Sequence, residues 1–238
     1  QADTLLKYAD KVRWLDNWPK AIEGVVVGNE VLDAMPVHLL QRKDGVWHER
    51  GVVSAGQGFA WQDRPTDLRP PIDIEGEHDY LTEIHPQAEA FITSLAERLL
   101  AGKGGAAFFL DYGFPEAEYF HPQRHMGTVM CHQLHQADDN PLLAVGQKDI
   151  TAHVNFTGVA LAAQNAGLAV LGYASQAWFL LNLGLAERMA QASLAERSQA
   201  QRLVNEHEMG ELFKVIGLTT SADGVAQGFA WGDRSHRL

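Results

Sequence analysis

The sequence has very little cysteine and no long apolar run. Its 238 residues contain one cysteine, Cys131, so a framework of internal disulfides is excluded and a reducing compartment is compatible with the composition. No apolar run approaches the roughly 18 residues that a membrane-spanning helix needs. We therefore expect a protein that is not inserted in a membrane.

Basic residues are also scarce. Nineteen Lys and Arg stand against thirty Asp and Glu, which gives a net charge of −11. This balance argues against binding to a phosphate backbone, so no nucleic-acid partner is expected, and it tolerates a cationic partner such as a basic peptide or protein. A surface that is merely soluble explains the charge equally simply. The hydrophobic fraction of 46% is enough for a sizeable core.

The first part of the chain predicts strands. Residues 11–16 alternate apolar and polar side chains, and residues 24–29 form a β-branched run without alternation, as expected of a parallel strand covered on both faces. Residues 37–64 then contain three strand-like pieces separated by turn signals, which predicts an inserted antiparallel hairpin or meander.

The rest of the chain alternates helices and strands. Apolar residues at helical spacing predict a helix over 86–100, and a buried strand follows over 105–113. Residues 114–150 show little periodicity and are interpreted as a long loop, a feature that is often functional. Helices are predicted over 156–166 and 177–201, and strands over 168–173, 211–218 and 229–231.

One pentapeptide occurs twice. Residues 57–61 and 227–231 both read QGFAW. Two copies are too few for a repeat architecture, so we interpret them as two similar edge strands, with chance as their origin.

Polar residues follow the predicted parallel strands. Asp16, Asn29 with Glu30, and Asp111 with Tyr112 each stand at a strand end. Because ligands bind beyond the carboxyl ends of parallel strands, we expect Asp16, Glu30 and Asp111 to converge on one pocket. Such groups suit ribose hydroxyls, an adenine amino group or a cationic substrate. Helix caps and turns are the alternative explanation for each of them.

Glu30 and Asp33 stand three residues apart, on one side of a helical turn if this segment is helical. Two carboxylates in that arrangement could grip a guanidinium group, whose planar donors match carboxylate oxygens. An acidic first turn of a helix is the alternative.

A metal centre is not expected. Cys131 and the histidines at 121, 125, 132 and 135 lack the paired spacing of structural zinc ligands, so a polar loop at an active site, or buried hydrogen-bonded histidines, explains them better. The glycines at 102–105 end a helix and precede a strand, which indicates a helix cap and turn rather than a nucleotide loop.

Six blocks together carry a resemblance to a known family. They are residues 29–37 (NEVLDAMPV), 110–115 (LDYGFP), 119–124 (YFHPQR), 127–132 (GTVMCH), 149–154 (DITAHV) and 210–215 (GELFKV). In this order they resemble the MidA family, a group related to the mitochondrial complex I assembly methyltransferase.

The resemblance implies an α/β fold of the class I methyltransferase type: a Rossmann-like mixed sheet in a single domain over residues 1–238, with family-specific insertions at about 37–64 and 114–150. It also implies S-adenosylmethionine as cofactor and a protein side chain such as arginine as methyl acceptor. The substrate would be a complex I subunit or its bacterial counterpart. The compartment would be the bacterial cytoplasm, or the mitochondrial matrix in a eukaryote, and a homodimer remains open.

By the same resemblance, Glu30 and Asp33 are the expected catalytic residues, and Asn29 and Asp16 the expected cofactor contacts. Tyr112, Arg124 and His153 are expected on the substrate side. Family members carry a glycine-rich strand-loop-helix upstream of these blocks, so we expect this domain to be partial, without the N-terminal strands of its sheet. A binding or assembly factor that keeps the fold without catalysis is the main alternative, and a metal hydrolase is the third.

Overall fold

The computed structural model describes the backbone of residues 2–134 and 136–238. Its strands are β1 (Gly24–Asn29), β2 (His38–Lys43), β3 (Val46–Ala55), β4 (Gly58–Pro65), β5 (Tyr80–Ile84), β6 (Gly105–Phe114), β7 (Met130–Gln133), β8 (Gln136–Asp138), β9 (Asp149–Thr151), β10 (Val154–Asn155), β11 (Ala169–Ser175) and β12 (Phe213–Thr219). Its α-helices are α1 (Ala2–Leu5), α2 (Pro86–Ala101), α3 (Glu116–Tyr119), α4 (Phe156–Asn165), α5 (Gln176–Asn182), α6 (Leu185–Gln191) and α7 (Leu194–Val204).

A mixed sheet organises the chain. Its strand order is β1-β6-β12-β11, with β10 added beside the end of β6. β1 runs parallel to β6, whereas β12 is antiparallel to both β6 and β11. The expectation of an α/β fold with a mixed sheet is therefore confirmed.

Helices cover this sheet on both faces. On one face α2 and α4 bury an apolar cluster that includes Leu95, Leu99, Val159 and Phe109. The apolar residues of α2 recur every three or four positions, so they form one buried stripe. On the other face α5 and a short turn over Gln227–Phe229 pack against the sheet.

The β1 end of the sheet is less covered. Among the described residues β1 has β6 as its only strand partner. Val25 and Val27 are 67% and 69% exposed. These two apolar β-branched residues therefore lie exposed at an edge of the sheet that is unpaired within the described residues.

A second, antiparallel sheet has the order β4-β3-β2-β5. The β2–β3 hairpin turns at Asp44 and Gly45, which both have positive φ, as the preferred two-residue hairpin turn requires. The antiparallel strands predicted within 37–64 are thus present. That this segment is an insertion into the parent fold stays a prediction.

Four sequence predictions need correction. Residues 11–16 form no strand and are mostly exposed, because their alternating side chains have no neighbouring strand or core to pack on. Residues 114–150 are not only loop: they contain α3 and a three-stranded sheet of order β8-β7-β9.

The other two corrections concern the C-terminal part. The predicted strand at 229–231 is not formed: a helical turn covers Gln227–Phe229 and bends follow it, so the two QGFAW segments have different structures. The helical stretch 177–201 is divided into α5, α6 and α7, because Gly184 takes a φ of +85° and Ser193 begins a new helix with a capping box to Glu196. Within the described residues no helix is long and apolar enough to span a bilayer.

Candidate functional site

A cleft of about 1230 Å³ opens at the carboxyl ends of β1 and β6. Five of the residues predicted from the sequence line it together: Glu30, Asp33, Tyr112, Arg124 and His153. They span 123 positions of the chain, from residue 30 to residue 153, and the fold brings them to one cleft.

The turn after β1 delivers the first two of these side chains. Glu30 has a φ of +50°, a left-handed conformation that is uncommon for a residue with a side chain and is often found at functional sites. Its N–H donates to the carbonyl of Leu110 at 2.9 Å, and the Asn29 side chain donates to Glu30 Oε1 at 3.1 Å. The residues that follow form a turn and no helix, so the helical reason for pairing Glu30 with Asp33 was wrong.

Asp111 holds this turn in place. Its Oδ2 accepts the backbone N–H groups of Val31, Leu32 and Asp33 at 2.9–3.2 Å, and its Oδ1 accepts that of Tyr112 at 3.0 Å. Burial and the nearby Asp33 charge raise the pKa of Asp111 to about 7, although these four N–H groups favour its charged form. Asp111 therefore acts on the site by fixing the backbone that carries Asp33.

Asp33 is buried and only half satisfied. Its Oδ2 accepts the Tyr112 hydroxyl at 2.7 Å, whereas its Oδ1 has no hydrogen-bond partner. Burial, followed by the proximity of Asp33, raises the pKa of Tyr112, so this hydroxyl stays protonated and keeps donating. A buried acceptor without a donor costs free energy, which makes Asp33 Oδ1 a candidate ligand-binding atom.

His153 lines the cleft next to Tyr112. Its ring meets the Tyr112 ring edge-on at 5.2 Å, and its buried Nδ1 has no partner. Burial, with smaller effects from the positive charges of Arg124 and Lys214, lowers the pKa of His153 to about 4, so the imidazole is neutral at pH 7. The Arg124 guanidinium lies 3.7 Å from the centre of the Phe114 ring.

Sequence reasoning missed a buried carboxylate that supports the cleft from behind. Glu83 is fully buried and accepts the N–H groups of Thr128 and Val129 at 2.8 and 3.2 Å and the Tyr119 hydroxyl at 2.9 Å. Gly127 has a φ of +72°, which favours glycine, and a Cβ there would lie 2.6 Å from Glu83 Oε1. Glu83 thereby shapes the 126–130 wall of the cleft from a strand more than 40 residues earlier.

Asp16 is not part of this cleft. It lines a separate groove with Trp18 and Val26, and that groove shares no residue with the cleft. The expected convergence of Asp16 with Glu30 and Asp111 is therefore wrong for Asp16, because no strand places it at the sheet edge. Its contact with a cofactor stays a prediction.

The Cys/His segment does not assemble a metal centre among the described residues, where no group of three or more His, Cys, Asp or Glu side chains is placed to hold an ion. Cys131 is buried and His132 lines the cleft. His135 lies outside the part of the chain that the structure describes.

Comparison with protein families places the chain. Residues 1–174 match the family described as "Putative S-adenosyl-L-methionine-dependent methyltransferase". The chain belongs to this family. The MidA-like resemblance of the sequence blocks is thereby confirmed.

Relatives and solved structures agree with this assignment. The chain is 29% identical over 225 residues to "Protein arginine methyltransferase NDUFAF7, mitochondrial" of Danio rerio and 28% identical over 228 residues to the Drosophila melanogaster homologue, covering 86% and 84% of this chain. It spans about half the length of these relatives, 51% and 49%. A Burkholderia thailandensis protein crystallised with S-adenosyl-homocysteine is 44% identical to this chain, with a TM-score of 0.90. The match covers 100% of this chain and 64% of the Burkholderia chain.

Proposed function

We propose that this protein transfers a methyl group from S-adenosylmethionine to a nitrogen of a protein side chain, with arginine as the leading acceptor. The family supports the cofactor, and the names of the relatives support the acceptor. The observation that carries the proposal is the cleft itself, which is lined by Glu30, by Asp33 with its unpartnered Oδ1, and by the neutral imidazole of His153.

The carboxylates would position and hold the acceptor. A guanidinium presents planar N–H donors, so one can bond Asp33 Oδ1 while Glu30 balances the positive charge. His153 Nδ1, being neutral and unpaired, can accept a further N–H. Fixing the guanidinium this way would direct one nitrogen at the methyl carbon. The N–C bond would form as the C–S bond breaks, the sulfonium would become a neutral thioether, and the proton of the methylated nitrogen would pass to the Glu30 carboxylate.

The described residues fit only part of the cofactor. The Asn29–Glu30 turn at the end of β1 offers polar groups beside the acceptor. Within residues 2–134 and 136–238, however, no glycine-rich turn follows a strand and opens a helix. The bare edge and exposed valines of β1 support further strands there. We therefore place the methionine and ribose parts of the cofactor on structure added at that edge.

The test is Glu30→Gln in the protein at its full natural length. We expect methyl transfer from tritiated S-adenosylmethionine to extract proteins of a strain lacking the gene to fall at least about 100-fold, because the charge opposite the guanidinium is lost. Calorimetry should show nearly unchanged cofactor binding. Acid hydrolysis should release the label as methylarginine. Glu97→Gln, an exposed glutamate of α2 that lines neither the cleft nor the Asp16 groove, is the control, and equal turnover in Glu30→Gln would remove the role assigned to Glu30.

An assembly or binding factor without catalysis is the second candidate, favoured by the lack of a glycine-rich cofactor turn in the described residues. Calorimetry distinguishes the two, because a pure binding factor would give no heat with S-adenosylmethionine. A complex I subunit or its bacterial counterpart as the substrate, and the bacterial cytoplasm or mitochondrial matrix as the compartment, remain proposals; the relatives are named as mitochondrial proteins.

A further inference from the structure

An apolar groove of about 550 Å³ runs beside the cleft. One wall is a face of the antiparallel sheet, with Val52 and Trp61 paired across β3 and β4 and Phe59 two residues before Trp61. The other wall includes Val145 and Ile150. These five side chains are 38–55% exposed, so apolar surface is open to solvent on both walls.

The aromatic wall is held in shape. The Arg50 guanidinium lies 5.9 Å from the Trp61 ring and bonds Asp63 through two nitrogens at 2.8 and 3.0 Å. This pairing lowers the pKa of Asp63 to about 2, so the carboxylate is charged and the Arg50–Asp63 ion pair is formed at neutral pH. A side chain fixed before binding loses less entropy when a ligand arrives.

The groove is continuous with the cleft. Asp33, Ala34, Val129, Ile150 and Thr151 line both. A cationic side chain that reaches Asp33 therefore brings its own polypeptide to the mouth of the groove. Successive residues of an extended chain lie roughly 3.3–3.6 Å apart, so residues two to four positions away reach the apolar walls.

We propose that this groove binds an apolar side chain of the substrate protein, a few residues from the methylated one. The inference rests on the proposed function, since the acceptor cleft fixes where the substrate polypeptide runs. Continuity with that cleft favours an extended substrate segment as the occupant. The groove would then select the sequence around the acceptor, while the carboxylates select its charge.

The experiment measures binding of fluorescent 13-residue peptides to the full natural chain in the presence of S-adenosylhomocysteine. Each peptide has a central Arg in a Gly, Ser and Asn background, and a single Leu is moved from four residues before the Arg to four after it. We expect Leu at one or two positions to raise affinity about tenfold over the peptide without Leu, equivalent to about 1.4 kcal/mol.

Val52→Asp should abolish that gain, and Phe59→Asn should reduce it. Val46→Asp is the matched control, because Val46 lies on the same strand with 51% exposure against 50% for Val52 and does not line the groove. Equal affinity at every Leu position, or an unchanged gain in Val52→Asp, overturns the proposal. So does a wild-type dimer in gel filtration that Val52→Asp splits, since the groove would then hold a second copy.

A change in the peptide separates this proposal from the proposed function. Replacing the central Arg by citrulline removes the charge and should weaken binding to wild type. If citrulline binds equally well while the Leu preference persists, the acceptor cleft is wrong and the groove stands. If Arg is preferred and Leu position has no effect, the groove is wrong and the cleft stands.

Discussion

Two clusters of buried polar side chains meet at Thr128 and differ in how completely their hydrogen bonds are made. In the first, Glu83, His85 and Tyr119 are joined to one another and to Thr128, and none of their buried side-chain atoms lacks a partner. The second consists of Asp33, Tyr112 and His153, and there Asp33 Oδ1 and His153 Nδ1 have no hydrogen-bond partner. Thr128 bridges them, since its hydroxyl donates to Glu83 and accepts the backbone N–H of His153.

The difference assigns a role to each cluster. A fully satisfied buried network stabilises the backbone that it ties together, here the wall over 126–130. Unpaired buried atoms cost free energy unless a ligand satisfies them, and the two residues that carry them here both line the cleft. We therefore expect mutations in the first cluster to affect stability and mutations in the second to affect activity.

The largest effect should follow Glu83→Ala. It leaves the N–H groups of Thr128 and Val129 and the Tyr119 hydroxyl buried without their acceptor, at about 1–3 kcal/mol per group, so we expect a loss of about 3–5 kcal/mol. Denaturation in urea measures it. Glu97→Ala, an exposed glutamate of α2, should change stability by less than about 0.5 kcal/mol. A Glu83→Ala protein as stable as wild type would remove the distinction between the clusters.

Asp33→Asn should show the reverse pattern. The amide oxygen can still accept the Tyr112 hydroxyl, but the charge offered to the acceptor is lost. We expect kcat for methyl transfer to fall about 100-fold, or about 2.7 kcal/mol, and stability to change by less than about 1 kcal/mol. A large loss of stability with normal turnover would instead make Asp33 structural.

Tyr112→Phe should have a smaller effect, which acts through the same carboxylate. Asp33 keeps its charge and loses the donor that orients it, so we expect kcat/KM to fall about tenfold, or about 1.4 kcal/mol. Steady-state kinetics provide the measurement. A loss equal to that of Asp33→Asn would mean that Tyr112 contacts the acceptor itself.

The smallest effect concerns pH. Burial lowers the pKa of both His85 and His153 to about 4, so the unfolded chain binds more protons between about pH 4 and 6.5. The stability that these two neutral histidines contribute is thus fully present above about pH 6.5 and is lost as the pH falls through this window. His153→Asn and His85→Asn should each reduce the slope of the free energy of unfolding against pH by at most about 1.4 kcal/mol per pH unit. Only His153→Asn should alter the pH profile of kcat, and an altered profile in His85→Asn alone would contradict this.

Local patterns were enough to predict much of the fold. The β-branched run of β1, the apolar stripe of α2 and the Asp44-Gly45 turn each specify their structure within a few residues, and all three are present. Residues 11–16 show the limit of this reasoning. An alternating pattern forms a strand only where a neighbouring strand accepts its hydrogen bonds, and the pattern does not reveal that neighbour.

In the candidate site, too, residues with a local signal could be predicted and a residue whose partners lie far along the chain could not. Strand ends and the family resemblance predicted Glu30, Asp33, Tyr112, Arg124 and His153, and the fold brings all five to one cleft. Their roles are not tested by that placement. Glu83 could not be predicted, because a buried carboxylate on a strand gives no local signal for donors 45 and 46 residues later in the chain.

The most direct test is a crystal structure of the full natural protein with S-adenosylhomocysteine and a bound arginine peptide. We predict a guanidinium nitrogen about 3 Å from Asp33 Oδ1, with Tyr112 still donating to Oδ2. An arginine bound away from the cleft, with Asp33 Oδ1 still unpaired, would contradict the assignment of this carboxylate as the acceptor site.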